Sequence, residues 1–260
     1  MDLGTIIGLL VAAAAILFGL ILEGGQVGQI LQPTAALIVL GGTLGAILVQ
    51  YPLAVVLAAV RSLATIFSVP QADPRGMVQE IVTIANRARR DGIVSLDRDL
   101  EKIHNPFLKK ALMLAVDGTE PGELRKIMEL ELENQAEHED NIPKVFESAG
   151  GFSPTIGIIG AILGLIQVMQ HLDNIDEVGR GIAVAFVATV YGVGAANVLL
   201  LPAAGKLRIR IREEQINREM MLEGIISIME GMNSRMIQTK LDSFHAEAPG
   251  REQERESVEV

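Results

Sequence analysis

"GGFSPTIGIIGAILGLIQVM", residues 150–169, holds five glycines, one proline and no ionisable side chain. A helix of this length is about 30 Å long, the thickness of a bilayer's hydrocarbon core. Its polar backbone groups are satisfied within the helix, which lets it sit in lipid. Three other stretches are equally free of charge: Leu3 to Leu22, Gln26 to Val60 and Gly181 to Gly205. The second is longer than one crossing, but Gln50-Tyr51-Pro52 interrupts it. The predicted crossing is therefore Thr34 to Gln50, with Leu53 to Val60 continuing near the interface. These runs predict an all-α polytopic membrane protein with four transmembrane helices and a helical cytoplasmic domain between spans 2 and 3.

Composition agrees. Of 260 residues 49% are hydrophobic and 21% charged, so apolar and polar residues occur in separate blocks. The first apolar run follows "MDLG", without Lys or Arg, and is too long for a signal h-region, so it is expected to remain as a span. The segment 53–149 carries 12 Lys and Arg and the chain after Gly205 nine, whereas the connectors 23–33 and 171–180 carry only Arg180. Positive charge stays inside. Both termini and the middle segment are thus expected in the cytoplasm. A net charge of −10 argues against a nucleic-acid partner. The absence of cysteine removes disulfides and thiolate metal sites, and packing must anchor a chain whose aromatic belt is thin.

The organisation follows as residues 1–52 for spans 1 and 2, 53–149 for the cytoplasmic helices, 150–204 for spans 3 and 4, 205–243 for an amphipathic helix and 244–260 for a tail. Helix ends are expected at Asp91-Gly92, Asn105-Pro106 and Pro121-Gly122. After span 4, Ile209, Ile216, Met220, Ile226 and Met229 recur at helical spacing, predicting a helix docked on the cytoplasmic set. The tail lacks apolar residues to bury and is expected to be disordered.

No Asp, Glu, Lys, Arg or His lies inside the proposed spans. Such residues mark ion relays, because each costs ~2.5–3.5 kcal/mol or more at the helix centre. Either the chain only scaffolds, or a partner brings the titrating group and this chain forms the wall around it. Small residues recur at Gly41 and Gly45, at Gly157, Gly160 and Gly164, and at Gly181, Ala185, Ala188, Gly192 and Ala196. Such stripes let helices approach closely in lipid, either within the chain or between chains. Thr189, Tyr191 and Asn197 are the polar residues of span 4, and a buried Thr commonly returns its hydroxyl to the carbonyl four residues back. Pro154 opens span 3 near its first turn and Pro202 closes span 4, both compatible with ordinary helix ends. Arg87, Arg89 and Arg90 end one predicted helix; Ser95 caps the next, whose first turns hold Asp97, Asp99 and Glu101. That arrangement complements helix dipoles without needing a partner. The four histidines form no metal signature, no phosphate loop or nucleophile motif occurs, and no enzyme activity or cofactor is expected.

The order of features resembles the MotA/PomA family of flagellar stator subunits, within the MotA/TolQ/ExbB proton channel superfamily. The resemblance covers about residues 1–240. It rests on "LEGG" after span 1, "PTAALIVLGGTLGAILV", "RARRDGIVSLDRDLE", the opening stretch, and "VAFVATVYGVGAANVLLLP". It implies a homo-oligomeric ring, a pentamer, around two copies of a MotB/PomB-type single-span subunit that binds peptidoglycan and supplies the ion-binding aspartate. It places the chain in the bacterial inner membrane, where spans 3 and 4 face the partner helix. It maps torque coupling onto Pro154 and Pro202, ion-path lining onto Ala161, Thr189 and Tyr191, and contact with the rotor protein FliG onto Arg89, Arg90, Asp97 and Arg98. Sodium-driven relatives have Thr where this chain has Ala161, so protons are expected rather than Na+. An ExbB/TolQ-like energiser, with three spans, and a solute transporter, with midplane sites and often inverted repeats, are the competing readings.

Overall fold

The computed structural model describes residues 2–68 and 73–244, and every described element is helical. Four helical stretches are long and apolar enough to cross a membrane: Leu3–Leu22, Val27–Gln50, Pro121–Gln170 and Ile175–Met229. The chain divides into two compact units. A spanning unit comprises the described residues of 1–70 and 138–210, and a polar unit those of 71–137 and 211–260. The expected tail, from His245 onward, lies outside the described residues.

In the spanning unit α1 (Leu3–Leu22) is capped by Asp2, whose carboxylate accepts from the Thr5 amide at 3.2 Å. None of its side chains is buried within the chain. A helix apolar all round belongs in lipid or against other chains. The second crossing starts at Pro33 in α2 (Pro33–Ala36), widens into a π-helical turn at Leu37–Gly41 and ends as α3 (Gly42–Gln50). From α3 the Thr43 hydroxyl donates back into that turn, to the Val39 carbonyl at 2.6 Å. Pro52 then starts α4 (Leu53–Ile66), a separate helix whose Val56, Ala59 and Ile66 pack with Val145, Phe146 and Leu207.

The third and fourth crossings depart from expectation. Residue 154 is not near a helix start: α7 runs unbroken from Pro121 to Gln170, with Pro143 and Pro154 inside it. An interior proline removes one backbone hydrogen bond and crowds the carbonyl four residues back, at a cost of ~3 kcal/mol. Burial of Val145, Phe146 and Ala149 beside it offsets that cost. Likewise Pro202 does not end a helix. The helix α8 (Ile175–Gly194) passes through a π-helical turn, Ala195–Leu200, into α9 (Leu201–Met229). The wider turn just before Pro202 gives the ring room where an α-helical carbonyl would clash.

The polar unit contains α5 (Pro74–Asp91), a 3-10 helix at Ile93–Lys102, α6 (Pro106–Val116), the start of α7, the end of α9, and α10 (Ser234–Asp242). Helix ends fall where the glycine and proline signals placed them. Gly92, Gly118 and Gly231 hold φ of +83°, +84° and +74°, a region other residues enter at a cost. Ser95, however, does not cap an α-helix: Gly92 precedes the 3-10 turn, and the Ser95 hydroxyl donates to the Gly92 carbonyl at 2.6 Å. Met220, Met221, Ile225 and Ile226 are buried with Ile81, Leu108 and Leu112, so the end of α9 docks as expected. Ile209 does not, being 61% exposed.

Candidate functional site

Two surfaces collect the predicted site residues. In the spanning unit the stripe of α7 meets the stripe of α8. A Cβ added at Gly164 would lie 2.7 Å from the Gly181 carbonyl oxygen, one at Gly157 would lie 2.9 Å from that of Ala188, and one at Gly192 would lie 2.5 Å from that of Ser153. Gly160 would meet the Ala188 methyl at 2.8 Å. These glycines are therefore used within the chain, and the face of α7 left uncovered is branched and aliphatic: Ile158, Ile159, Ile162, Leu163 and Ile166. Of the two uses the spacing left open, within the chain or between chains, the close approach at these glycines is made within the chain. In span 2 the close contact is at Gly42, 2.8 Å from Ile156, whereas Gly45 has nothing within 4 Å and Gly41 only Leu37 at 4.0 Å.

The polar residues of span 4 are largely satisfied inside the chain. The Thr189 hydroxyl donates to the Ala185 carbonyl at 3.3 Å, and the Asn197 amide donates to that of Val193 at 2.9 Å. The Tyr191 hydroxyl donates to the Ile30 carbonyl at 2.5 Å and accepts from the Gln32 amide at 3.3 Å. Tyr191 thus pins the connector between spans 1 and 2. Ala161 is half-buried. Sequence reading missed Ser153, beside Pro154, whose hydroxyl is fully buried with no hydrogen-bond partner among the described residues.

A second missed feature joins chain segments some 200 residues apart. The Asp2 carboxylate, which caps α1, accepts from Lys206 at 2.5 Å and from Arg210 at 3.2 Å. Arg210 also donates to the carbonyls of Thr65 and Ile66, the last residues of α4, and of Ser68 just beyond it. The Lys206 hydrogen bond, with the Thr5 amide, lowers the Asp2 pKa to about 2. The start of α1, the end of α4 and the interior of α9 are tied by one carboxylate and two cations.

On the polar unit the basic run sorts into paired and unpaired members. Arg87 holds Asp99 at 2.6 Å, with Lys102 on the same carboxylate at 2.8 Å. The hydrogen bonds from Lys102 and Arg87 keep Asp99 below the usual carboxylate range. Arg90 is engaged with Asp91 at 2.9 Å, which lowers Asp91 in the same way. Among the described residues Arg89, Asp97 and Arg98 carry no ion pair and are exposed. Of the four predicted contact residues, three therefore present unpaired charge and Arg90 does not.

A family profile of the MotA/TolQ/ExbB proton channel family matches residues 99–220, and one of the motility protein A N-terminal region matches residues 6–92. The chain is 34% identical over 246 residues to motility protein A of Bacillus subtilis, covering 93% of this chain and 90% of that protein. The chain belongs to the MotA/TolQ/ExbB proton channel family. It is 29% identical to chemotaxis protein PomA of Vibrio alginolyticus over 94% of this chain and 95% of PomA. Its fold matches a chain of the C. jejuni MotAB structure with a TM-score of 0.90 at 32% identity, covering 96% of this chain and 98% of that one. The flagellar MotAB stator complex from Bacillus subtilis gives 0.84 at 33% identity, over 91% and 93% of the two chains. The chain is a multi-pass bacterial membrane protein of the MotA type, a flagellar stator subunit, in a family of transport and motor proteins rather than enzymes. The match over the first two spans sets it apart from the ExbB/TolQ-like reading and, with the family, from a solute transporter.

Proposed function

We propose that the chain works as a homo-pentameric ring in the bacterial inner membrane, both termini cytoplasmic. The ring encloses the transmembrane helix of a MotB-type subunit that grips peptidoglycan. Spans 3 and 4, residues 150–204, line the ion path; the segment 53–149 meets the rotor protein FliG through Arg89, Asp97 and Arg98. The observation that carries this reading is that no Asp, Glu, Lys, Arg or His lies within the uncharged runs 3–22, 34–50, 150–169 and 181–205, so a carboxylate that binds the ion has to come from another chain. The MotAB complexes formed by its relatives are of the right kind to supply it.

Protons are the transported ion in this reading. A dehydrated Na+ needs several oxygen ligands, yet position 161 is alanine and the Thr189 hydroxyl is already donated to Ala185. A proton needs only the partner's carboxylate and a water chain. The driving force is adequate: a charge crossing the membrane gains ~2.3 kcal/mol per 100 mV, enough to shift a two-state ring more than tenfold. Pro154 and Pro202, both within continuous helices, are the proposed points where the change at the partner carboxylate reaches the polar unit. Swimming speed tests the ion assignment. It should fall with an uncoupler and stay level as external sodium is varied; sodium dependence with uncoupler resistance refutes it.

A further inference from the structure

The polar unit contains an apolar cleft of about 300 Å³ with Arg89 on its lining. Its walls include Ala85, Ala88, Ile93, Ala115, Met229 and Met232, contributed by α5, the 3-10 turn, α6 and the segment closing α9. We infer that this cleft seats one large apolar side chain of a rotor helix, while an acid three or four residues away on that helix meets Arg89. The inference rests on the proposed reading that Arg89 faces the rotor, and it names the chemistry of the rotor element.

Three observations fix the occupant. Arg89 is exposed and carries no ion pair among the described residues, unlike Arg87 and Arg90 on the same helix, so its charge is available to a carboxylate from outside. The C-terminal ends of α5, α6 and α9 converge on the cleft, marked by Gly92 next to Ile93, by Gly118 and by Gly231. The start of α7 at Pro121 also lines it, so helix-end charges of both signs meet there, and it is the mainly apolar side chains of the walls that favour an apolar group inside. The acid therefore sits beside the anchor, at Arg89, and residues three or four apart on a helix share a face. The volume lies at the lower end of the ~300–1,000 Å³ typical of ligand pockets, suited to a side chain rather than a cofactor.

The arrangement also settles a problem of magnitude. An exposed ion pair is worth less than about tenfold in a binding constant, too little to transmit force alone. An aliphatic or aromatic anchor in a desolvated pocket supplies affinity, and the charge then sets register and partner choice.

The test uses the full chain in complex with its partner subunit and measures affinity for the purified rotor protein. Ala88→Phe on α5 and Thr119→Phe on the connector between α6 and α7, which also lines the cleft, fill it from different sides; Arg89→Glu reverses the charge. Each filling variant should weaken binding at least tenfold while partner co-purification and thermal unfolding stay unchanged, and if one destabilises the complex the other decides. Weakening by Arg89→Glu with neither filling variant effective overturns the anchor and leaves the rotor contact standing. No effect from any of the three overturns both. Filling variants that are silent, with tighter rotor binding after removal of residues 245–260, would assign the cleft to the chain's own tail and likewise overturn the anchor.

Discussion

The α7–α8 seam and the edge around Arg89 treat their functional residues in opposite ways. At the seam, Gly157, Gly160, Gly164, Gly181 and Gly192 are used to bring two helices of one chain together, and the hydroxyls of Thr189 and Tyr191 are bonded within the chain. At the edge, Arg89, Asp97 and Arg98 are left unpaired while their neighbours are tied to one another. The seam is finished before any partner arrives. The edge leaves its charges open. Variants at the first should therefore damage the chain itself, and variants at the second should damage only what it transmits.

The largest effect is expected at Gly192. Its Cβ would meet the Ser153 carbonyl at 2.5 Å and the Gly157 and Pro154 Cα atoms at 3.1 and 3.2 Å, all backbone atoms that cannot turn aside. Gly192→Val should destabilise the chain by about 3 kcal/mol, seen as loss of folded complex on purification. Gly45→Ala, with nothing within 4 Å, should leave the purified chain's stability unchanged. Equal tolerance at both positions would break the contrast.

Next come the unpaired charges. Asp97→Lys should lower torque several-fold in a bead assay with normal amounts of complex in the membrane, and an opposite-sign change on the rotor should restore part of it. The same substitution at Asp91, which is already paired with Arg90, should act more weakly. Indifference of torque to charge at both Arg89 and Asp97 would remove the edge from the mechanism.

The sequence disclosed what local signals control. The four crossings were legible as uncharged runs, and the ends at Gly92, Asn105 and Pro121 followed from glycine and proline chemistry. Continuity of α7 through Pro154 and of α9 past Pro202 was not legible, because tertiary packing and a π-turn outweighed a local helix-breaking preference. Nor could spacing reveal that the glycines of spans 3 and 4 face each other, or that Asp2 meets Lys206 and Arg210. A periodic stripe states that a close approach occurs and leaves open to whom.

The Asp2 joint gives a smaller, pH-dependent prediction. Its carboxyl is lowered from 3.8 to about 2, so its stabilising contribution is present above the unfolded value and is lost as pH falls from about 4 through about 2. Between neutral pH and pH 5 it should be flat. Asp2→Asn should lower the thermal midpoint of the purified complex by a few degrees at neutral pH and should erase the difference from wild type near pH 2. A constant difference at every pH would mean that the charge of the Asp2 carboxylate is not what stabilises the joint.

The smallest effect is expected at Thr189, where the seam and the ion path are closest to conflict. Its hydroxyl already donates to Ala185, and its Cα lies 3.4 Å from where a Gly157 side chain would begin, so the residue serves packing before it serves any ion. Valine keeps the branched shape and loses only a bond back to the helix's own backbone, one of little net value. Thr189→Val should therefore leave proton-driven swimming speed within about twofold of wild type. A stator that needed this oxygen as a cation ligand would stop instead, and Ala161→Thr, by adding a second hydroxyl to the wall, would then increase sodium sensitivity. Silence at Thr189 together with sodium independence in Ala161→Thr would locate ion choice in the partner's carboxylate and leave this chain the task of shaping an uncharged surround.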